Sequence, residues 1–192
     1  MKIMTGIPDA NRAEAAALYW EAFGEKLYFT MGPKYRALSF ITRVLRSDHG
    51  ICAFDKDGRL LGVAGFKTEH GALVGGDFQD LRKVYGWVGA SIRVLLLAAL
   101  ERDTENERFL MDGIFVAEEA RGRGVGTKLL KAVYAEARLR GYRQVRLDVI
   151  DTNPRARALY LHEGFEEVET RSIGILRHIF GFNAATTMVR DV

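Results

Sequence analysis

The 192-residue sequence has a single cysteine, Cys52, so no disulfide can form within the chain. Sparse cysteine is typical of a reducing compartment, and the N-terminus lacks a basic-then-apolar signal sequence, so we expect a cytoplasmic protein. Long hydrophobic runs are absent, because the longest covers residues 94–100 and a bilayer span needs about 20 residues. The sequence therefore predicts neither a membrane-spanning helix nor a membrane partner.

A strong excess of charge of one sign is also absent. The net charge of +3 and the sequence pI near 9.0 suit an anionic small molecule but are too small to indicate nucleic acid. Four arginines fall on a helix end, a turn and a strand and so form no single basic face: Arg138, Arg140, Arg143 and Arg146. The four histidines are scattered without metal-ligand spacing, and we expect no nucleic acid and no metal.

The hydrophobic fraction of 48% and the charged fraction of 28% are typical of a soluble globular protein, and the length suits one domain over residues 1–192. The apolar periodicity changes repeatedly between helix and strand spacing, which predicts the α+β class. Helices are predicted over 9–23 (capped by Asp9 and ended by Gly24), from Pro33 onward, over 77–103, from 127 to Gly141, and over 153–163. Strands are predicted over 50–55, 60–66, 109–116, 144–150, 165–171 and 184–190.

The segment 77–103 is helical in pattern but is interrupted by Gly86 and Gly89, which predicts two helices or one kinked helix. Its apolar residues are predicted to face the core: Phe78, Leu81, Tyr85, Trp87, Ile92, Leu95, Leu96 and Ala99.

A glycine-rich stretch lies between the strand over 109–116 and the helix that follows it: Arg121, Gly122, Arg123, Gly124, Val125 and Gly126. Glycines allow the backbone to approach a ligand closely, and N–H groups at a helix N-terminus favour an anion, so the stretch predicts a phosphate site. A Walker A loop is excluded because Thr127 and Lys128 follow in the wrong order. A dinucleotide fingerprint is excluded because Thr127 stands where its third glycine is needed.

Two motifs resemble those of the GNAT superfamily of N-acetyltransferases. The pattern Arg/Gln-x-x-Gly-x-Gly, formed by Arg121, Gly124 and Gly126, is similar to the acetyl-CoA loop of that family. The family's downstream pattern Asn-x-x-Ala-x-x-Leu-Tyr-x-x-x-Gly-Phe is matched by Asn153, Ala156, Leu159, Tyr160, Gly164 and Phe165. Because the two motifs are independent and occur in the right order, the pair is far more specific than either alone.

The resemblance implies a mixed, mostly antiparallel central sheet that is splayed between its fourth and fifth strands and has helices on both faces. It implies transfer of an acetyl group from acetyl-CoA to a primary amine, by direct attack in a ternary complex, and it leaves a homodimer open. The residues implied in coenzyme binding are Ile114, Phe115, Val116, Arg121, Gly122, Arg123, Gly124, Val125, Gly126, Thr127, Asn153, Ala156 and Tyr160. Gly113 would suit a bulge in the splayed strand.

The resemblance also implies that Tyr160 protonates the leaving thiolate, although the same tyrosine could be a packed side chain of its helix. Asn153 could bind the coenzyme or cap the helix that follows it, with Asp151 and Thr152 as competing caps. The family often has a catalytic glutamate where this sequence has Leu110. Asp112, on the same face of the strand, is the predicted base and would act through a water. Glu107 is a poorer candidate, and the alternative is that Asp112 is a surface carboxylate without a catalytic role.

Two questions remain open at the level of sequence. A non-catalytic acyl-CoA-binding module would also keep Gly124 and Gly126, but it would not need Tyr160. The acceptor amine is not indicated by any motif, and we expect residues 24–46 and 69–103 to determine it. Within the second range, Tyr85 and Trp87 are predicted to form a pocket wall or lid, against the alternative of plain core or a dimer face.

Overall fold

Eight strands form one sheet in the computed structural model, which describes residues 1–100 and 107–192. The strands are β1 (Lys2–Thr5), β2 (Gly50–Phe54), β3 (Leu60–Thr68), β4 (Gly71–Ala72), β5 (Phe109–Val116), β6 (Gln144–Ile150), β7 (Glu166–Ser172) and β8 (Ala184–Asp191). Their order is β1-β2-β3-β5-β6-β8-β7, with β4 paired to β3. Only β5 and β6 are parallel, which confirms the predicted mixed, mostly antiparallel sheet.

The part of the chain that the structure describes has six α-helices around this sheet: α1 (Arg12–Met31), α2 (Lys34–Val44), α3 (Phe78–Leu100), α4 (Val125–Leu139), α5 (Pro154–His162) and α6 (Arg177–Phe180). A side chain added to Gly62 on β3 would meet Leu129 of α4, whereas one added to Gly113 on β5 would meet Phe23 of α1. These two glycines point to opposite sides of the sheet, so α4 and α1 cover opposite faces, as predicted. We call these sides the α4 face and the α1 face.

The α4 face holds much of the hydrophobic core. The rings of Phe66 on β3 and Phe109 on β5 lie 5.0 Å apart, and both are completely buried. Leu147 on β6 and Leu129 on α4 are also buried, so one apolar layer joins both halves of the sheet.

The prediction for the first helix was wrong in two respects. The helix α1 does not end at Gly24 but continues to Met31. A Cβ at Gly24 would lie 2.8 Å from the Trp20 ring, so glycine is needed there for packing within the helix and does not end it. Asp9 lies in a preceding 3-10 turn, and Asn11 occupies the N-cap position. The short strands β1 and β4 were not predicted.

The helix α3 confirms the predicted kink, because Gly86 has φ 72° and ψ 178° within it. Leu81 and Tyr85 before or beside the kink are buried, as predicted. Trp87, Ile92 and Leu95 were also predicted to face the core, and this was wrong, since they are 65%, 53% and 74% exposed. The predicted end of this helix at 101–103 lies outside the described residues. The other predicted strands and helices are confirmed to within a few residues.

Candidate active site

The sheet opens between its two parallel strands. β5 and β6 pair only at Phe109–Val145 and Leu110–Arg146, so among the described residues the rest of β5 has no strand partner on that side. This confirms the splay that the sequence resemblance implied. Ile114, Phe115 and Val116 lie in the opened part of β5, where backbone groups on the free edge can hydrogen-bond a ligand.

A β-bulge lies at the middle of the opened strand. Gly65 of β3 pairs with Gly113, and Phe66 pairs with Met111, so Asp112 is the extra residue of β5. A Cβ on Gly113 would lie 2.7 Å from Cζ of Phe23, and a larger residue would displace that ring. The bulge leaves Asp112 exposed beside the opening.

The glycine-rich stretch connects the opened strand to the N-terminus of α4. Gly122 and Gly124 have φ of 77° and 74°, in the left-handed region that favours glycine, and no atom would contact a Cβ at either position. Gly124 is the N-cap of α4, no side chain caps the helix there, and its first turn contains no acidic residue. Because the N-terminus of α4 has neither a side-chain cap nor an acidic residue in its first turn, its N–H groups and helix dipole suit a phosphate.

The remaining residues of the stretch differ in their surroundings. Val125 is buried, and Gly126 packs against α5, since a Cβ there would lie 3.2 Å from Leu159. Arg121 and Arg123 are exposed, and Arg121 Nε donates a hydrogen bond of 3.2 Å to the Val116 carbonyl. Gly126 thus brings the two motif helices together, and the arginines supply the charge beside the loop.

The N-terminus of α5 is capped by Asn153. Its Oδ1 accepts a hydrogen bond of 3.1 Å from the backbone N–H of Ala156, and Pro154 occupies the first helical position. Asp151, the competing cap of the sequence analysis, instead accepts hydrogen bonds from Asn183 before β8. The capping role predicted for Asn153 is therefore present, while its contact with the coenzyme stays a prediction.

Tyr160, near the end of α5, is 6% exposed and packs edge-on against Phe165 with ring centroids 5.7 Å apart. Burial, followed by the neighbouring Tyr134, raises the pKa of Tyr160 to about 12. The phenol is therefore protonated at neutral pH, and it can donate a proton in that range but cannot act as a base. The contact with Phe165 agrees with the interpretation of Tyr160 as a packed side chain. It is also compatible with a catalytic role for the hydroxyl.

An aromatic cluster of α1 and β5 lies on the other side of the opened strand. The ring of Tyr19 is 4.8 Å from that of Phe23 and 5.6 Å from that of Phe115. Burial, and then the charge of Asp112, raise the pKa of Tyr19. Sequence reasoning missed Tyr19 and Phe23, although the glycine at 113 was a signal that a bulky ring approaches β5.

The segment between β7 and β8 also reaches this side, because its helix α6 packs against α1. Sequence reasoning had assigned acceptor selection to residues 24–46 and 69–103 only. Over residues 1–100 and 107–192, no helix is long and apolar enough to cross a membrane. The same residues contain no group of three or more His, Cys, Asp or Glu placed to hold a metal ion.

The fold and the site define a class of protein: an α+β domain in which an opened parallel strand pair leads through a glycine loop into a helix N-terminus. The sequence profile described as "Acetyltransferase (GNAT) family" matches residues 13–165. The chain belongs to this family of acetyltransferase enzymes.

Solved structures share the fold at low sequence identity. An N-acetyltransferase from Staphylococcus aureus Mu50 has a TM-score of 0.70 at 15% identity, covering 99% of this chain and 100% of that chain. A ribosomal-protein-alanine N-acetyltransferase from Brucella melitensis has a TM-score of 0.63 at 18% identity, covering 100% of both chains.

Curated relatives match over a shorter stretch. The thialysine N-epsilon-acetyltransferase of Bos taurus is 40% identical over 58 residues, which are 30% of this chain and 34% of the relative. The protein of the same name from Mus musculus is 39% identical over 70 residues, which are 36% of this chain and 41% of the relative. This chain therefore spans about two fifths or less of the curated relatives it matches.

Proposed function

We propose that this protein transfers an acetyl group from acetyl-CoA to a primary amine by direct attack in a ternary complex. The observation that carries the proposal is the continuity of the opened strand β5 with the glycine loop and the N-terminus of α4. An extended ligand with an anionic end fits this arrangement, with its arm along the strand and its phosphates at the loop. Acetyl-CoA has this chemistry.

In this proposal the coenzyme contacts divide into two groups. The pyrophosphate is held by backbone N–H groups of the loop and the first turn of α4, from Gly122 to Thr127, with Arg121 and Arg123 beside them. The pantetheine arm is held by the backbone of Ile114, Phe115 and Val116 on one lip, and by Asn153 and the turn containing Ala156 on the other.

The proposed reaction begins with the acceptor as an ammonium ion, which must lose a proton before its nitrogen can attack. Asp112, exposed at the bulge, accepts that proton through a water molecule. The nitrogen then bonds to the thioester carbon, the carbon–sulfur bond breaks, and the sulfur leaves as a thiolate, while the new amide nitrogen loses its second proton to water. Tyr160 donates its proton to the thiolate, so that CoA leaves as the thiol, and the tyrosinate regains a proton from water.

The proton donation by Tyr160 depends on where the thiolate forms. A thiol in water has a pKa near 8.5, so a phenol of pKa about 12 would be a weak donor to it. A thiolate formed beside the buried ring loses hydration too, and desolvation raises its own proton affinity. Most of the rate then comes from holding amine and thioester together, since aligned reactants reach effective concentrations on the order of 10⁵ M or more.

The burial of Tyr160 favours one alternative, a non-catalytic acyl-CoA-binding module in which this tyrosine is only a packing residue. Such a module would bind the coenzyme and leave it intact. Both functions predict stabilisation by acetyl-CoA, so binding alone does not distinguish them.

The experiment that distinguishes the two functions measures release of free CoA thiol from acetyl-CoA. It uses a panel of alkylamines, amino acids and peptides with free N-termini. Amine-dependent thiol release, with the acetylated amine identified by mass spectrometry, supports the enzyme. Coenzyme binding without thiol release in the presence of every amine contradicts it. The panel is needed because the relatives' names point to different acceptors, thialysine in one case and a protein alanine in another.

A further inference from the structure

A second carboxylate, Asp148, lies across the opening from Asp112. We infer that Asp148 binds the cationic group of the acceptor, so that the protein selects amines without a carboxylate near the amine. This inference rests on the proposed function, because it names the acceptor class of the same cleft. It uses a residue that neither family motif contains.

The register of the strands places both aspartates on one face. Phe109 pairs with Val145 and both are buried on the α4 face, so the next pair, Leu110 and Arg146, points to the α1 face. Asp148 is two residues beyond Arg146 on β6 and therefore also points to the α1 face. Asp112 lies two residues beyond Leu110 on β5, so the same alternation places it on the α1 face. One carboxylate thus lies on each lip of the opening.

Asp148 is held in a fixed orientation. Its Oδ1 accepts a hydrogen bond of 2.5 Å from the Thr187 hydroxyl of β8, and its Oδ2 is 3.5 Å from Arg146 Nη2. The Asp148 side chain is 43% exposed, whereas the Arg146 side chain is 14% exposed. The carboxylate is therefore the more accessible of the two charged groups.

The charges around the opening favour a cation. The two carboxylates on the lips, Asp112 and Asp148, are exposed, whereas the basic side chains on the same face, Arg146 and Lys67, are half-buried. The ring of Phe23 lies against Gly113, the residue after Asp112, and with Tyr19 it forms an aromatic wall that suits an alkyl chain. An alkyl diamine satisfies both features, because one nitrogen can lie at the thioester while the second nitrogen, as an ammonium ion, lies at Asp148. A carboxylate in place of the second ammonium would be repelled.

The test compares putrescine with γ-aminobutyrate, which has a similar length but carries a carboxylate in place of the second amine. The wild-type protein should prefer putrescine at least about tenfold in kcat/KM. Asp148→Asn should raise the KM for putrescine about tenfold, the size expected for one charge-assisted hydrogen bond, and reduce the preference. Its KM for acetyl-CoA should not change. Thr187→Val, which only frees the carboxylate to rotate, should have a smaller effect in the same direction.

Glu169→Gln is the matched control. Glu169 on β7 pairs with Thr187, which pairs with Asp148, so the glutamate lies in the same row about 10 Å farther from the opening. It should leave the putrescine KM unchanged. An equal effect of Glu169→Gln and Asp148→Asn would overturn the inference, because general surface charge would then explain both. Unchanged putrescine KM and preference in Asp148→Asn would overturn it as well.

Calorimetry with putrescine and CoA, which has no acetyl group to donate, separates this inference from the proposed function. Putrescine binding that Asp148→Asn weakens supports the inference even if no amine is acetylated, in which case only the proposed function fails. Acetylation of other amines without any effect of Asp148→Asn on putrescine binding overturns the inference and leaves the proposed function intact. A retained thermal shift with acetyl-CoA verifies that each variant is folded.

Discussion

The guanidinium carbon of Arg93 lies 3.9 Å from the centroid of the Tyr85 ring, and both side chains reach the C-terminus of α1. The Tyr85 hydroxyl donates to the Met31 carbonyl, and Arg93 Nη2 donates to the Gly32 carbonyl at 3.2 Å. The last carbonyls of a helix lack partners within it and carry partial negative charge, so both donors stabilise that end. α3 therefore fixes the junction of α1 and α2, and for Tyr85 the core alternative describes the structure better than a lid.

Tyr85→Phe should lower the free energy of unfolding by about 1 kcal/mol, because it leaves the buried Met31 carbonyl without its donor. Burial raises the pKa of Tyr85, so the hydroxyl is a donor throughout the neutral range. Urea unfolding measures the change. Tyr35→Phe is the control, because Tyr35 is 66% exposed and its loss should cost little. An equal loss in the two variants would contradict the capping role.

Gly124→Asp should abolish the thermal shift that acetyl-CoA causes, because it adds a side chain and a negative charge at the N-cap of α4. In the unchanged protein a hundredfold excess of coenzyme over its Kd should stabilise by about 2.7 kcal/mol. The control is Gly141→Asp, at the other end of the same helix, where φ of 83° gives similar backbone strain. Both variants should lose stability, and only Gly141→Asp should keep the shift. A shift in Gly124→Asp equal to that of the control would refute the loop assignment.

Strong periodicity made parts of the fold predictable from sequence. β5 and β6 have the predicted bounds, 109–116 and 144–150, because buried and exposed residues alternate in β6 and apolar residues dominate β5. Gly24 was misjudged because glycine commonly ends helices, whereas at this position glycine is needed to leave space for the Trp20 ring. The outer face of α3 was misjudged because apolar composition does not show which side of a helix is covered. Trp87 is 65% exposed, although Phe78 and the guanidinium of Arg82 lie against its ring.

The candidate site was predictable where a motif has a fixed local geometry, as at Gly124 and Asn153. It was not predictable where partners come from distant strands. Asp148 was visible only as a polar position in an alternating strand, and its place across from Asp112 depends on the register of β5 with β6. Tyr19 depends similarly on how α1 crosses β5, which no spacing within α1 reveals.

Asp48→Asn should reduce the dependence of stability on pH in the acid range. Arg46 and then His49 hold the pKa of Asp48 below its ordinary value, with Arg46 Nη2 2.8 Å from the carboxylate. A carboxyl group with a lowered folded-state pKa stabilises the fold above its unfolded pKa of about 3.9 and loses that contribution as pH falls. Thermal unfolding between about pH 5 and pH 2 should therefore show a shallower acid decline in the variant. Asp57→Asn, in the exposed β2–β3 turn, should reproduce the wild-type curve.

Tyr160→Phe should lower kcat about 10²-fold or more if the phenol protonates the leaving thiolate, while the KM for acetyl-CoA changes little because the ring still packs on Phe165. Since the pKa of Tyr160 is raised to about 12, the group stays protonated far above neutrality. The wild-type pH–rate profile should therefore show no loss of activity near pH 10 caused by ionisation of Tyr160. The ratio of the wild-type kcat to the Tyr160→Phe kcat should be constant from about pH 6 to pH 9. Tyr142→Phe, at a half-buried tyrosine that packs on Phe109 outside the opening, is the control and should keep full kcat. Unchanged kcat with lowered stability in Tyr160→Phe would mean that the tyrosine serves packing alone, and the thiolate would then leave without a proton from the protein.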